Sequence, residues 1–577
     1  LIKSLCKVLP ILALIAHFSP ADAAITGQVI DATDAQPIAG ARVRIQTTTG
    51  EPVITDAAGQ FVINDVPPGS VTVTAVLTYD SSRPINYITD SAGAEDGDDV
   101  LISLTRLPAD DVAPPYEPGS SFNCVACHAD QHAEWQDSNH SNAGVNEWVL
   151  DLFSGTGTPG GSAGYVFRDT HDPDDTGFCA TCHVPLEDAQ DPGNVFLDEA
   201  GLIGGLDGVT CLACHQMADV NENVSALHHL GNTEYRFPDD PFTQFWVWGP
   251  LDDVSFGTMR ASYQPRFTES RFCASCHEYN NPDTGAPGQN TYTEWLASPY
   301  AQAGPDFRAC QDCHMPAATE PGPISSLGGQ PIREPEQRRS HRFTGATPTT
   351  LSDAIELDLT ATQDGPELVV TAQVTNAGAG HSFPTGISIR NALLVIEASR
   401  DGQVLDQSSG DVIPFYGSAY GGTDPDDLAG QPGKGFARVL EGRINGEGPV
   451  VRPVLFIDAE GVASDTRISS GETDTSEYRF DLSQFTEDNQ VEVSARLLYR
   501  RAWRDTAVTK GWTTTPTGGP IEIEVANAGL TLPVAGVPAV VPVPVPTQSL
   551  WALTLLVFGL ILIVAGLRRG QERGVSQ

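Results

Sequence analysis

Lysine is nearly missing from this chain. Lys3, Lys7, Lys434 and Lys510 are all it has, and none lies between His17 and Gly433. Basic residues number 32 against 74 acidic ones, a formal net charge of -42, so the surface would repel a phosphate backbone and nucleic acid is excluded as a partner. Long apolar runs are absent except at the two ends, which excludes a polytopic membrane protein. Charged residues make up only 18% of the chain, while Gly (56) and Pro (43) are plentiful, a composition that disfavours long helical arrays and fits a loop-rich globular protein. At 577 residues several units are required, because single cores stop growing at about 250 to 300 residues.

The ends read as targeting segments. Residues 1–23 pair Lys3 and Lys7 with an apolar run and close on Ala21-Asp22-Ala23, the pattern of a secretory signal peptide; Cys6 falls inside it. Residues 549–577 hold an apolar stretch from Leu550 to Leu567 followed by Arg568, Arg569 and Arg573, which predicts a C-terminal transmembrane helix with its basic flank in the cytoplasm. Together they predict a body in the bacterial periplasm or at the cell surface, anchored to a membrane by the C-terminal segment. Val-Pro repeats over 528–548 read as a stiff stalk before that anchor.

Two regions alternate apolar and polar positions in short runs bounded by Gly and Asp turns, the signature of β-sandwiches. One spans 24–107, with Ala41-Arg-Val-Arg-Ile45 as an example. The other spans 346–527, with Leu368-Val-Val-Thr-Ala-Gln-Val374 and Val491-Glu-Val-Ser-Ala-Arg-Leu-Leu-Tyr-Arg500. Between them, after a Pro- and Asp-rich linker at 108–121, residues 122–345 show little sustained period and contain every cysteine except Cys6. The fold class expected is therefore multidomain: a mostly α or irregular, haem-organised middle flanked by two β-sandwiches, plus a C-terminal transmembrane helix.

The haem expectation rests on the one internal repeat. Cys124-Val-Ala-Cys127-His128, Cys179-Ala-Thr-Cys182-His183, Cys211-Leu-Ala-Cys214-His215, Cys273-Ala-Ser-Cys276-His277 and Cys310-Gln-Asp-Cys313-His314 all follow the pattern Cys-x-x-Cys-His. Two thiols three positions apart can add to the two vinyl groups of one haem, and the next residue sets an imidazole under the iron. A thioredoxin-like redox pair or half of a zinc site would also use Cys-x-x-Cys, but neither requires His after the second Cys five times over. Five covalent haems c would consume all ten cysteines and make His128, His183, His215, His277 and His314 the proximal ligands.

The sixth coordination positions decide between electron transfer and catalysis, because a six-coordinate haem passes electrons whereas an open one binds substrate. Seven histidines remain: His132, His140, His171, His228, His229, His341 and His381. His229 is preferred over His228 as a ligand. His381, in a Gly-rich loop after an expected strand, could be delivered from the second sandwich onto a haem edge, with a plain loop histidine as the alternative. His132 shares a helical face with His128 and is not expected to reach across the ring. His171, in an Asp-rich turn, is expected to be solvated. Met259 is a minority candidate, and thioether ligation there would raise that haem's potential.

Three resemblances refine this reading. Gly27-Gln-Val-Ile-Asp31, Pro37-Ile-Ala-Gly-Ala41 and Thr55-Asp-Ala-Ala-Gly-Gln-Phe61 resemble the carboxypeptidase-regulatory-like fold, which implies a spacer or adhesion module. Val545-Pro-Thr-Gln-Ser-Leu-Trp551 with Gly566-Leu-Arg-Arg569 resembles the IPTL-CTERM sorting tail. Glu134-Trp135-Gln-Asp-Ser138-Asn-His140, Glu294-Trp295-Leu-Ala-Ser298-Pro-Tyr300 and Cys313-His314-Met315-Pro316 resemble the family of the tetrahaem cytochrome that partners hydroxylamine oxidoreductase. That last likeness implies His140 as a ligand to a haem other than its nearest neighbour, and makes Ser340-His341-Arg342-Phe343 the closing ligand segment. Tyr300 stands where the second copy would have His.

The function expected is electron transfer through closely packed haems outside the cytoplasm, with redox proteins or quinol-linked membrane components as partners. The alternative is an oxidoreductase acting on a small nitrogen or sulfur compound at one open haem. Its usual pentahaem nitrite-reductase form places Lys after the second Cys of one motif, and the lysine-free middle excludes that form.

Overall fold

The structure is a computed structural model that describes residues 24–111, 122–201, 207–221, 233–238, 245–255, 259–538 and 550–571. The expected signal peptide, His228, His229, most of the linker and residues 539–548 of the expected stalk lie outside the described residues. The N-terminal region folds as two facing sheets. One has strand order Gln60–Asn64, Ala24–Asp31, Asp99–Leu104, the last pair parallel; the other runs Val53–Ile54, Arg42–Ile45, Val71–Val76, Asp90–Ala94. Alternate residues point inward, so Val29, Val43, Val73 and Ile102 meet in one buried core.

The C-terminal sandwich is larger. One sheet orders Ile355–Asp364, Glu367–Asn376, Thr473–Asp481 and Gln407–Ser409, and the other is built on Asn391–Arg400, Asn489–Arg500 and Glu522–Val534. Leu368, Val370, Ala372 and Val374 alternate inward along one strand against Phe480, Val491 and Leu497. Its last strand pairs with Asn489–Val493 as far as Val534, so the sheet runs past position 527 into residues expected to be stalk.

The middle departs from expectation. Across the chain strand (32%) outweighs helix (22%), and the described helices between 122 and 345 are no longer than eight residues, as in Ala129–Gln136 and Ser270–His277. Short strand pairs lie among them: Met217–Val220 with Thr233–Tyr235, Phe245–Gly249 with Met259–Tyr263, and Glu278–Asn280 with Pro287–Asn290. The mostly α middle is therefore corrected. Each motif needs only one turn to align two thiols and an imidazole, and flanking Gly, Pro and Asp stop the helix before propagation can offset nucleation.

The expected transmembrane anchor is corrected as well. Among the described residues no helix is long and apolar enough to cross a membrane. The membrane partner, the quinol-linked components and the membrane-anchored location that rested on an anchoring helix fall with it.

Both sandwiches grip the middle through buried polar contacts. From the N-terminal side, Arg42 and Arg44 pair with Asp252, and the Thr47 N–H donates to Asp253, which also pairs with the buried Arg333 at 2.7 Å. From the C-terminal side, the fully buried Lys510 donates its ammonium protons to the carbonyls of Asp151, Gly161 and Tyr165, and Trp512 Nε1 donates to Asp151 Oδ2. Three acceptors satisfy all three donors of a buried ammonium.

Candidate functional site

Four of the motifs lie on or end a short helix: Cys179–His183, Cys211–His215, Ser270–His277 and Cys310–His314. The first begins in Phe122–Val125, where the N–H groups of Cys127 and His128 both donate to the Cys124 carbonyl at 3.1 and 2.9 Å. One turn puts residues i and i+3 on one face with i+4 beside them, so each motif offers two thiols and an imidazole to one side. The Thr210 hydroxyl caps the third motif by accepting from Ala213 N, and the Asp312 carboxylate steadies the fifth by accepting from Ala309 N.

All five motifs face the same space. A continuous cavity of about 2060 Å³ is lined by Cys124, Cys127, Cys179, Cys182, Cys211, Cys214, Cys273, Cys276, Cys310 and Cys313 and by the five motif histidines. That volume is about twice the upper end of an ordinary small-ligand pocket, roughly 300 to 1,000 Å³. His140, His341, His381 and Met259 line it too, as does His132. Thiols of different motifs lie close enough across it to influence one another, Cys124 and Cys211, Cys273 and Cys310, and Cys182 and Cys276, and Cys182 Sγ lies 4.0 Å from the Cys276 carbonyl.

The ten thiols are free. Burial pushes Cys179 and Cys214 up to about 12, so both are protonated at neutral pH. A thioredoxin-like nucleophile needs the opposite shift, which Cys179 and Cys214 lack, whereas Cys310 is held down to about 7 by hydrogen bonding from Cys273. Among the described residues no three or more His, Cys, Asp or Glu side chains converge as a metal-ion cluster, so the half-zinc-site reading finds no second half.

The motif imidazoles are oriented from behind. Nδ1 of His183, His215 and His314 meets the carbonyls of Ala143, Trp248 and Thr344 at 2.8, 2.8 and 2.6 Å, and that of His128 meets Ile324 at 3.4 Å. Gln289 Nε2 donates to Nδ1 of His277 at 2.8 Å, so in that ring the N–H falls on Nε2, and the amide must turn to present its oxygen before the ring's Nε2 can serve a metal. An N–H given to a carbonyl leaves Nε2 as the lone-pair nitrogen, the arrangement found behind metal-bound histidines. Burial lowers the pKa of His128, His183, His215 and His277. His215 is pushed down to about 4 by burial and then by nearby His341 and His128; His277 is pushed down to about 3 by burial, then His140. A neutral imidazole is what a metal takes. Ten thiols in motif pairs, five imidazoles each with a partner at Nδ1 and one shared space fit covalently held porphyrins.

Two more imidazoles face motif histidines. The ring centroids of His140 and His277 are 6.3 Å apart, as are those of His314 and His381. His341 lines the same cavity near His128 and His215, its Nδ1 meeting the Arg339 carbonyl at 3.0 Å. Met259 stands on the wall in strand Met259–Tyr263. His132 packs against Trp135 at 5.6 Å.

His171 is corrected. Rather than being solvated, its side chain is 6% exposed and Nε2 meets Asp458 Oδ1 of the C-terminal region at 2.9 Å, with Tyr165 donating to the other oxygen. It does not line the cavity.

Sequence reasoning missed the cationic wall. Arg390 and Arg501 line the cavity, and their donors reach backbone carbonyls of Thr385, Ala346 and Pro520. Their signal was faint: two arginines far from any motif, in an acidic chain.

Residues 24–96 match the family model of the carboxypeptidase regulatory-like domain. No curated protein matches the chain. Among solved structures, the chain is similar to a penta-heme cytochrome c552 from Thermochromatium tepidum, with 20% identity and a TM-score of 0.48 over 72% of this chain and 99% of that one. It is also similar to AvmM, described as catalysing macrocyclization in alchivemycin A biosynthesis, with 14% identity and a TM-score of 0.15 over 33% of this chain and 93% of that one. Both scores lie under 0.5, so a functional assignment has to rest on the cavity.

Proposed function

We propose that the protein is a multihaem c-type cytochrome that holds five haems in the central cavity and relays electrons among them. The observation that carries this reading is the gathering of all ten motif thiols and all five motif imidazoles on one continuous wall. The Cys pairs would anchor each porphyrin through two thioethers, and His128, His183, His215, His277 and His314 would each offer Nε2. Arg390 and Arg501, free of competing carboxylates in their hydrogen bonds, suit the propionates, since guanidinium matches carboxylate geometry. Bound iron porphyrins supply one-electron chemistry. The proximity of thiols of different motifs favours relay over five isolated sites, because it puts neighbouring porphyrin edges close together.

Denatured holo-protein is expected to exceed the processed polypeptide mass by about 3 kDa, five covalent haems, with a matching pyridine haemochrome absorbance. A mass equal to the bare polypeptide would refute the reading. Electron paramagnetic resonance then separates relay from catalysis: all ferric haems low-spin supports relay, whereas a high-spin signal from about one haem in five moves the assignment to an oxidoreductase with an open iron.

A further inference from the structure

Besides the Cys-x-x-Cys-His motif the sequence carries two Glu-Trp-x-x-Ser segments, and the fold shows what they do. Helices Ala129–Gln136 and Thr291–Leu296 each carry a Glu-Trp pair near the C-terminal end, followed by a serine. Ser138 Oγ donates back to the Trp135 carbonyl at 2.6 Å, and Ser298 Oγ to the Trp295 carbonyl at 2.7 Å. The two indoles then do the same thing. Trp135 Nε1 donates to the Val209 carbonyl at 2.7 Å and Trp295 Nε1 to the Arg308 carbonyl at 2.9 Å. Val209 stands two residues ahead of Cys211, and Arg308 two ahead of Cys310. Each Glu-Trp segment thus seats one particular motif, the third in one case and the fifth in the other.

The correspondence extends in both directions. The motif preceding each segment comes near the motif it seats at the first cysteine of each, Cys124 by Cys211 and Cys273 by Cys310. Each glutamate holds a returning loop that carries a histidine. Glu134 Oε2 accepts the His341 N–H at 2.7 Å, while Glu294 Oε2 accepts the Ser382 N–H at 3.2 Å, one residue after His381. In the second case the loop lies hard against the segment: a Cβ added at Gly380 would sit 3.4 Å from both Trp295 and Tyr300 rings.

We propose that the cavity is built from two copies of one unit, in which a Glu-Trp segment seats a haem motif and holds the loop bearing that haem's sixth ligand, so that His341 stands opposite His215 and His381 opposite His314. This rests on the haem reading above. The second unit sets its two rings at a compatible distance. Imidazole centroids 6.3 Å apart with planes 13° from parallel leave room between the rings for one metal held by two bonds of about 2 Å. The first unit supplies the same partners with the same connections, and His341 and His215 line the same cavity. His140, two residues beyond Ser138, joins the units: it reaches the first motif of the second unit, with centroids 6.3 Å from His277. Tyr300 holds the equivalent position in the second unit, where there is no third unit to serve. The missing histidine of the second copy is thereby explained, and the C-terminal sandwich becomes part of the fifth haem site.

The test uses the full-length holo-protein. His381→Ala and His341→Ala are each expected to turn one ferric haem in five from low-spin to high-spin, with all five haems still attached and low spin restored by added imidazole. Combining His341→Ala with Cys211→Ser and Cys214→Ser should leave four haems and no high-spin signal from the histidine change. If an alanine variant does not fold, His381→Met and His341→Met keep a ligand, and a redox titration should show one haem moved to higher potential. Five haems that all stay low-spin in His381→Ala or His341→Ala, or no shifted haem in the Met variants, would overturn the inference. So would a new high-spin haem in the four-haem background, which assigns His341 elsewhere. Absence of covalent haem from the unmutated protein would overturn the haem reading instead.

Discussion

The C-terminal sandwich and the middle region reach stability by opposite routes. In the sandwich, Leu368, Val370, Val374, Phe480 and Val491 are at most 1% exposed and fill the space between the sheets themselves. In the middle, buried apolar residues form only small separate clusters, such as Phe153, Phe167, Val184 and Leu197, around a cavity lined by thiols and imidazoles, and the walls are also held from outside by Lys510, Asp253 and their partners. A chain can thus fold its flanks on apolar burial alone while leaving its centre to be completed by what it binds.

The largest expected effect breaks that contrast. Protein made without haem insertion should lose cooperative structure over 122–345 while both sandwiches persist, read by limited proteolysis with mass spectrometry; equal protection of all three regions would remove the distinction. Next, Leu368→Ala should cost the C-terminal sandwich about 2 to 5 kcal/mol by cavity formation, measured by denaturant melts, and leave the haem spectra of the intact protein unchanged. Lys510→Met strands three buried carbonyls, each worth about 1 to 3 kcal/mol when unsatisfied. Its effect should show in the haem region and the sandwich together, because the ammonium belongs to both.

Acid sharpens the comparison for the N-terminal sandwich. Asp31 is held down to about 2, its burial outweighed by hydrogen bonds from Thr33, Arg106 and Tyr87. The folded value lies below the ordinary 3.8, so the stabilisation is complete above that pH and is lost as pH falls from about 4 to about 2, on the order of 2 kcal/mol. Asp31→Asn should flatten the stability profile in that window. Smallest of all, Arg479→Ala removes exposed pairs to Asp364, Glu367 and Glu477 and should shift stability by less than about 0.5 kcal/mol.

What could be read from sequence follows the same division. Alternation along Leu368–Val374 announced a strand with one buried face, because a two-residue period survives in any sequence that buries one side. The motifs announced their thiols and imidazoles because the chemistry is local to five residues. What was lost depends on distance along the chain. His171 looked solvated because Asp458, which buries it, lies 287 positions away. The short helices looked like a helical region because a motif turn has helical spacing without helical length. The Glu-Trp copies were visible as letters, but only the carbonyls of Val209 and Arg308 reveal that both segments do one job.

The position of His381 also bears on the order of events as the chain is made. Polypeptides emerge from the N-terminus at about 5 to 20 residues per second. The fifth motif is therefore exposed seconds before the loop bearing His381, and that loop becomes rigid only when Asn376 finds its acceptor on Ile468, later still. On the proposed assignment of His381, completion of the fifth site would follow the folding of the sandwich that comes after it. A variant that slows that sandwich without destabilising it would delay the fifth site alone.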